Sequence, residues 1–185
     1  MNRIRTTVGV VAGVLGLAAW SAAEMGSALL PRLQWPGVQT VLQPQGTTIY
    51  LSSDPSPETF QWAKHQGVTT VINLMMPGEQ RFQEEEAAKD QGLRYLRIPI
   101  DVAQPSEHAV QWFLHLVNQV EAKDLLIHCD VGGRALAMWA IYRGTVGGCS
   151  PKQALAEAQQ AGLHHKGLER FVLAYLKRYH QQATS

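Results

Sequence analysis

One short stretch of the chain combines residue types that could carry out nucleophilic chemistry. Residues 125–129 read Leu-Leu-Ile-His-Cys, an apolar run short enough to be a buried strand. Four residues then separate Cys129 from Arg134, which opens a helix-like segment at residues 134–146. Ligands of open α/β folds collect at the carboxyl ends of strands, and an arginine offers a planar fork of donors to a tetrahedral oxyanion. The stretch therefore predicts a Cys129 thiolate nucleophile beside an anion-binding Arg134.

The residues between this cysteine and this arginine suit a loop that binds an anion. Glycines let the backbone curl so that successive N–H groups point inward, and a helix N-terminus adds partial positive charge. An acid beside the cysteine disfavours a thiolate and repels a dianion unless it points outward. We therefore expect Asp130 at the rim of the loop, or else a less charged, sulfur-containing substrate. The predicted loop residues are Asp130, Val131, Gly132 and Gly133.

The pair His128-Cys129 followed by an arginine resembles the signature of tyrosine and dual-specificity phosphatases, which is His-Cys, five residues, Arg, then Ser or Thr. Two features depart from it, because only four residues precede Arg134 and Ala135 replaces the hydroxyl residue. The short Cys-x-x-Gly-x-Arg loop resembles that of rhodanese-type sulfurtransferases. The combination is similar to the bacterial phosphatase-like domain of beta-lactamase-hydrolase-like proteins, over about residues 49–179. Its other anchors are Tyr50-Leu51-Ser52, Pro55-Ser56-Pro57, Val71-Ile72-Asn73-Leu74, Arg97-Ile98-Pro99 and Trp139-Ala140-Ile141-Tyr142-Arg143.

The resemblance implies roles for two further residues. The histidine before the nucleophile lies behind the loop in such phosphatases and supports the thiolate, so His128 is expected to act as support and not as a base. Asp101 follows a predicted strand at the position where related dual-specificity enzymes carry their general acid, and the segment 101–106 could carry it over the loop. An aspartate that precedes a helix also commonly makes a local turn. Both interpretations of Asp101 stay open.

Two other polar clusters have simpler explanations. The adjacent histidines His164 and His165 lack further ligands nearby in the sequence, and such pairs usually face solvent. The acidic run at residues 84–86 is typical of a solvated helix face. We expect no metal and no cofactor.

Strand-like and helix-like segments alternate over most of the chain, which predicts an α/β fold. The expected structure is a small, mainly parallel sheet flanked by helices, cysteine-phosphatase-like, with a helical C-terminal tail. The predicted strands are 47–51, 68–75, 93–100 and 125–129, with a possible edge strand at 38–42. The predicted helices are 57–66, 79–91, 107–122, 134–146, 152–161 and 167–180.

The first 23 residues read as an export signal. A basic head is followed by an uncharged stretch rich in Val, Ala, Gly and Leu that ends in Ser21-Ala22-Ala23. Its strongly apolar centre, residues 8–20, is shorter than the ~20 residues of a typical membrane span, which favours a cleaved signal peptide over an N-terminal anchor. We expect a linker at 24–46, a phosphatase-like domain at 47–181, and a periplasmic or secreted protein. The alternative is a membrane-anchored protein that faces outside the cytoplasm.

The composition and charge of the chain indicate which classes of partner to expect. The chain has 185 residues, 45% of them hydrophobic and 17% charged, with a formal net charge of +1, as in an ordinary globular protein. No basic stripe suggests nucleic acid as a partner. Cys129 and Cys149 flank a helix of about 13 residues, which places them ~20 Å apart, too far for a disulfide.

Three functions remain compatible with the sequence. The first is an exported cysteine-dependent phosphatase-like hydrolase that acts on a phosphorylated substrate. The second is a sulfurtransferase that carries a persulfide on Cys129, since the short loop suits one sulfur atom. The third is a catalytically impaired module that only binds anions.

Overall fold

The computed structural model describes residues 38–42, 48–119 and 125–183. The predicted signal peptide lies outside these residues. In the described part no helix is long and apolar enough to span a bilayer. The strands are β1 Val38–Leu42, β2 Ile49–Ser53, β3 Thr70–Asn73, β4 Arg94–Arg97 and β5 Leu125–Cys129. The helices are α1 Pro57–His65, α2 Glu84–Asp90, α3 Glu107–Gln119, α4 Gly133–Thr145, α5 Pro151–Gln160 and α6 Lys166–Ala183.

The strands form one sheet in the order β1-β2-β5-β3-β4. The edge strand β1 runs antiparallel to β2, and the other neighbours pair in parallel. Parallel neighbours need crossover connections, which the helices between them supply. The predicted α/β fold with a mainly parallel sheet and a helical C-terminal tail is confirmed. The sheet also includes Val38–Leu42, within the segment that the sequence assigned to a linker with a possible edge strand.

Strand β5 is the centre of the sheet, and its side chains alternate between the two faces of the sheet. Leu125, Ile127 and Cys129 join the larger core cluster, which α3, α4, α5 and α6 cover. Leu126 joins the smaller cluster on the opposite face, beneath α1 and α2, and the His128 ring lies 6.1 Å from that of Phe60 there. Since successive strand residues point to opposite faces, the nucleophile candidate faces α4 while its neighbouring histidine faces α1 and α2.

Helix α4 gives the site a rigid base. Its residues from Arg134 to Ile141 are all buried, including Trp139, because other helices cover it on several sides. Gly144 permits the close approach of α6, since a Cβ there would lie 2.5 Å from Leu176 Cδ2. The helix begins one residue before the predicted start, at Gly133.

The helix predicted at residues 79–91 begins only at Glu84. The preceding residues form a turn in which Glu79 Oε2 accepts the Met76 N–H at 2.8 Å. The helix then starts with Glu84 buried, so the interpretation of residues 84–86 as a solvated face is wrong for Glu84 and holds for its two exposed neighbours. As a result, Glu79 pairs with Arg134, and Glu84 lies beside His128.

Candidate active site

Cys129 lies at the last position of β5 and is fully buried. Both neighbouring strands anchor the backbone at this point. The Leu74 N–H donates to the His128 carbonyl oxygen at 2.9 Å, and the Asp54 N–H donates to the Cys129 carbonyl oxygen at 2.8 Å. The C-terminal edge of the sheet therefore holds the start of the cysteine loop, residues 129–134, on two sides.

The cysteine loop turns into α4 through its two glycines. Gly132 has φ of +82°, a left-handed conformation that disfavours residues with a side chain, and it is the N-cap of α4. The first amide with an acceptor inside the helix is that of Leu136, which donates to the Gly132 carbonyl oxygen at 3.0 Å. The amides of Gly133, Arg134 and Ala135 precede it and have no acceptor in the helix, as at any helix N-terminus. This end of the loop can donate to an anion.

Arg134 is the second residue of α4, and its side chain is buried against the sheet edge. Its Nη1 donates to Glu79 Oε2 at 2.6 Å and lies 3.4 Å from the carbonyl oxygens of Leu74 and Ile100. Within the described residues, Nη2 and Nε make no hydrogen bond. The protein therefore engages one guanidinium nitrogen, Nη1, and the donors on Nη2 and Nε can bind an oxyanion.

Glu79 is a site residue that the sequence reasoning missed. Its carboxylate links the Met76 amide to Arg134, with 39% of the side chain exposed. The available signal was its position, because it follows the turn Met76-Pro77-Gly78 at the same sheet edge as Cys129. The Glu79 carboxylate contacts both the Met76 amide and the Arg134 guanidinium, so it is suited to hold the guanidinium in place.

Asp130 lies at the rim of the cysteine loop, with 39% of its side chain exposed. Arg81 lies between two acids there, with Nη1 2.8 Å from Asp54 Oδ2 and Nη2 3.4 Å from Asp130 Oδ1. Val131, at the tip of the loop, is 76% exposed. The rim is thus a row of exposed ion pairs, which offsets the charge of Asp130 beside the cysteine.

Asp101 is exposed, and its Oδ1 accepts the Ala103 N–H at 2.8 Å. This is the local turn that the sequence allowed. The preceding residue, Ile100, directs its carbonyl oxygen to Arg134, so Asp101 follows a residue that contacts the site directly. Asp101 Oδ2 makes no hydrogen bond to the described residues. The position is compatible with either interpretation of Asp101.

His128 is buried on the opposite face of the sheet from Cys129, behind the loop as the resemblance implied. Burial, with a smaller contribution from the positive charge of Arg134, lowers the pKa of His128 from 6.5 to about 3. The imidazole is therefore neutral at physiological pH and unsuited to act as a base.

This buried histidine makes stability depend on pH. The folded pKa lies below the unfolded one, so the unfolded chain binds a proton first and the free energy of unfolding falls as pH drops from 6.5 towards 3. We expect a loss of roughly 2 kcal/mol between about pH 7 and pH 5 from this group. The pKa of Glu84 is raised mainly by burial, so this group acts in the opposite direction and offsets part of the loss as pH falls towards 4.5. Urea unfolding followed by tryptophan fluorescence measures the loss. His128→Gln should reduce the pH slope, and an unchanged slope would contradict the prediction.

The remaining sequence candidates do not join the site. In the described part of the chain no group of three or more His, Cys, Asp or Glu side chains could hold a metal. His165 Nδ1 instead accepts the Leu168 N–H at 3.2 Å near the start of α6. Cys129 and Cys149 are both free thiols, as their predicted separation implied.

Residues 38–171 match the family described as DSP-PTPase phosphatase fused to NAD+ kinase. This match covers most of the chain. The chain belongs to this phosphatase family. The predicted membership of the tyrosine and dual-specificity phosphatase superfamily is confirmed, and the protein is a phosphatase-like hydrolase of this class. No curated protein matches the chain in sequence.

Solved structures support the fold of this phosphatase family. TpbA of P. aeruginosa is 21% identical, with a TM-score of 0.65, covering 82% of this chain and 91% of TpbA. Tk-PTP in its active form is 22% identical, with a TM-score of 0.66, covering 78% of this chain and 98% of Tk-PTP. PTPMT1 in complex with PI(5)P is 21% identical, with a TM-score of 0.61, covering 73% of this chain and 94% of PTPMT1. At these identities the likeness concerns the fold.

Proposed function

We propose that the protein is a cysteine-dependent phosphatase that hydrolyses phosphate monoesters through a covalent intermediate on Cys129. One observation carries the proposal. Cys129 ends the central strand, and Arg134 lies in the first turn of α4, so a single short loop brings together a thiol, a helix N-terminus and a guanidinium with unengaged donors. These are the parts that attack on phosphorus requires.

The reaction proceeds in two steps. The Cys129 thiolate attacks phosphorus, an S–P bond forms and the P–O bond to the leaving group breaks. Asp101 gives its proton to the leaving oxygen. Water then attacks the phosphorus, Asp101 accepts a proton from it, and inorganic phosphate leaves as the thiolate returns. In both steps the loop amides and Arg134 hold the non-bridging oxygens, while Glu79 keeps the guanidinium in place.

The substrate is a phosphorylated molecule whose phosphate can reach a recessed cysteine. Among fold neighbours, TpbA has been solved with pTyr and PTPMT1 with PI(5)P, so the fold accommodates phosphate monoesters on a phenol and on an inositol ring. The acids Asp54 and Asp130 at the rim, with Arg81 between them, favour substrates without a second strongly anionic group next to the phosphate.

The place of action proposed for this enzyme is outside the cytoplasm. This rests on residues 1–23, whose basic head, apolar centre and small-residue end have the pattern of a secretory signal. The mature protein would be periplasmic or secreted. If the segment is not cleaved, it would tether the enzyme to the membrane.

A paired assay tests the proposal against sulfur transfer. The purified protein is given an aryl phosphate in one reaction, and thiosulfate with cyanide in the other. Phosphate release without thiocyanate formation is expected. Thiocyanate formation alone would show a sulfurtransferase, and turnover of neither would show an anion-binding module. Either result would overturn the proposal.

Asp101→Asn tests the proposed general acid. Loss of the proton donor should lower the rate on a phosphate ester with a poor leaving group by about 10²-fold or more, because general acid catalysis contributes that much. An ester with a good leaving group, which needs no proton, should lose far less. The ratio of the two rates is the measurement. Equal losses on both esters, or no loss on either, would contradict the general-acid role of Asp101. The residue would then have only a structural role in the turn with Ala103.

Ala135→Ser tests the missing hydroxyl. Ala135 is buried in the first turn of α4, where a serine hydroxyl could donate to the departing thiolate. One added hydrogen bond of about 1 kcal/mol corresponds to roughly a fivefold faster second step. Pre-steady-state kinetics should show a smaller accumulation of the phosphorylated enzyme. A slower second step in Ala135→Ser would contradict this prediction.

A further inference from the structure

A buried polar cluster lies behind the cysteine loop, on the face of the sheet that α1 and α2 cover. It consists of Asn73 on β3, Glu84 at the start of α2, Tyr95 on β4 and His128 on β5. Asn73, Glu84 and His128 are buried, and Tyr95 is half-buried. None of the four belongs to the cysteine loop, yet His128 directly precedes the nucleophile. Buried polar groups carry a free-energy cost unless they are paired, so the pairing within this cluster is informative.

The hydrogen bonds of the cluster have a defined direction. Asn73 Oδ1 accepts the Met75 N–H at 2.6 Å, so the amide nitrogen is the end that faces the cluster. That Nδ2 donates to Tyr95 Oη at 2.6 Å and to Glu84 Oε2 at 2.8 Å. Tyr95 in turn donates to Glu84 Oε2 at 2.6 Å. Burial and this bond raise the pKa of Tyr95, which keeps the phenol protonated. Glu84 Oε2 therefore acts as an acceptor.

His128 faces this acceptor. Its Nε2 lies 3.6 Å from Glu84 Oε2, and within the described residues neither ring nitrogen has a hydrogen-bond partner. A neutral imidazole carries one N–H and one lone pair. An N–H that faces the oxygen is attracted to it, whereas a lone pair facing it is repelled. The other charged groups that act on this cluster are Arg134 on the histidine, and Arg97 and Asp54 on the glutamate.

We propose that Glu84 is a positioning residue that holds His128 as the Nε2–H tautomer and thereby fixes the residue that precedes the nucleophile. The backbone around this residue is held by Leu74 and Asp54, as described above. The imidazole adds a third anchor, on the opposite face of the sheet from Cys129. The catalytic consequence of this anchor rests on the proposed phosphatase function, but the tautomer does not.

The tautomer is measured directly on the full chain labelled with ¹⁵N-histidine. Long-range ¹H–¹⁵N spectra distinguish a protonated ring nitrogen from one with a lone pair, and the His128 signals are those that His128→Gln removes. We expect a protonated Nε2 and an unprotonated Nδ1 near neutral pH. A protonated Nδ1, or an imidazolium with both nitrogens protonated, would overturn the proposal whether or not the protein turns over phosphate.

Variants of Glu84 separate orientation from charge. Glu84→Met removes the acceptor and should mix the tautomers of His128 and lower kcat about tenfold, with KM changed far less. Glu84→Gln keeps an acceptor oxygen without the charge, and should retain the Nε2–H tautomer and recover most of kcat. Glu86→Met, at an exposed position of the same helix, is the matched control and should behave as wild type.

Each outcome of this series decides the proposal. Equal losses in Glu84→Gln and Glu84→Met would mean that the charge matters and not the acceptor, and would overturn it. A loss of kcat with an unchanged tautomer in Glu84→Met would do the same. If Glu84→Met does not fold, the wild-type spectrum and Glu84→Gln still decide. If the wild type shows no phosphatase activity, the proposed function fails while the spectra still test Glu84.

Discussion

Cys129→Ser is expected to abolish phosphate release, lowering kcat roughly 10⁴-fold or more. A serine hydroxyl in the same place is not ionised at neutral pH, so the attacking group is lost while the side chain keeps nearly its size. Because the loop amides and Arg134 are unchanged, the variant should still bind inorganic phosphate about as well as wild type. Stopped assays with an aryl phosphate and phosphate-binding calorimetry measure the two effects.

Cys149→Ser is the matched control for this loss. Cys149 follows α4 at its far end and is buried, with Sγ 3.9 Å from Glu157 Oε1. Burial raises the pKa of the Cys149 thiol, so it is an unreactive group away from the site. The control variant should keep wild-type kcat. Comparable kcat values of Cys129→Ser and wild type would contradict the role of Cys129 as the nucleophile.

Arg134→Lys is expected to lower kcat by about 10²- to 10³-fold, the effect of removing one stabilising group from an anion site. Lysine keeps the positive charge but not the planar fork. In the structure one guanidinium nitrogen is committed to Glu79, so oxyanion binding depends on the other donors, which lysine lacks. A single lysine ammonium group cannot bind the Glu79 carboxylate and the substrate oxyanion with the geometry that the guanidinium allows. Steady-state kinetics on the aryl phosphate give the measurement.

The same substitution elsewhere on α4 provides the comparison. Arg143 lies in the last turn of the helix and pairs with Glu157, with Nε 3.0 Å from Oε2 and Nη2 3.2 Å from Oε1. Arg143→Lys should lower stability slightly and leave kcat near the wild-type value. A large loss in both variants would point to a general effect on α4. Wild-type kcat in Arg134→Lys would show that the guanidinium takes no part in the reaction.

The central part of the fold follows from local sequence patterns. Strand β5 has its predicted bounds, because five apolar or buried-type residues are followed by a glycine turn. Helix α4 is displaced by only one residue, since Gly132 takes the left-handed conformation that starts it. The edge strand β1 also has its predicted bounds. Patterns with a period of two or 3.6 residues, together with glycine conformations, are sufficient for these elements.

The partners of the site residues were not predictable in the same way. Arg134 meets Glu79 across 55 positions of the chain, and Asp130 meets Arg81 across 49. Such pairs depend on how strands β3 and β5 are placed in the sheet, which no local pattern encodes. The burial of Glu84 was missed for a related reason, since its stabilising contacts come from Asn73 and Tyr95 on neighbouring strands. Residue types predicted the candidate nucleophile and the arginine, and the tertiary structure supplied the residues that contact them.

The most direct test of the proposed mechanism is to capture the covalent intermediate. The protein is mixed with an excess of aryl phosphate, quenched with denaturant at mildly alkaline pH within the first turnover, digested and analysed by mass spectrometry. We predict one added phosphoryl group on the peptide that contains Cys129, absent in Cys129→Ser and unaffected in Cys149→Ser. Phosphate release without any phosphorylated Cys129, or a phosphoryl group found on a different residue, would contradict the mechanism.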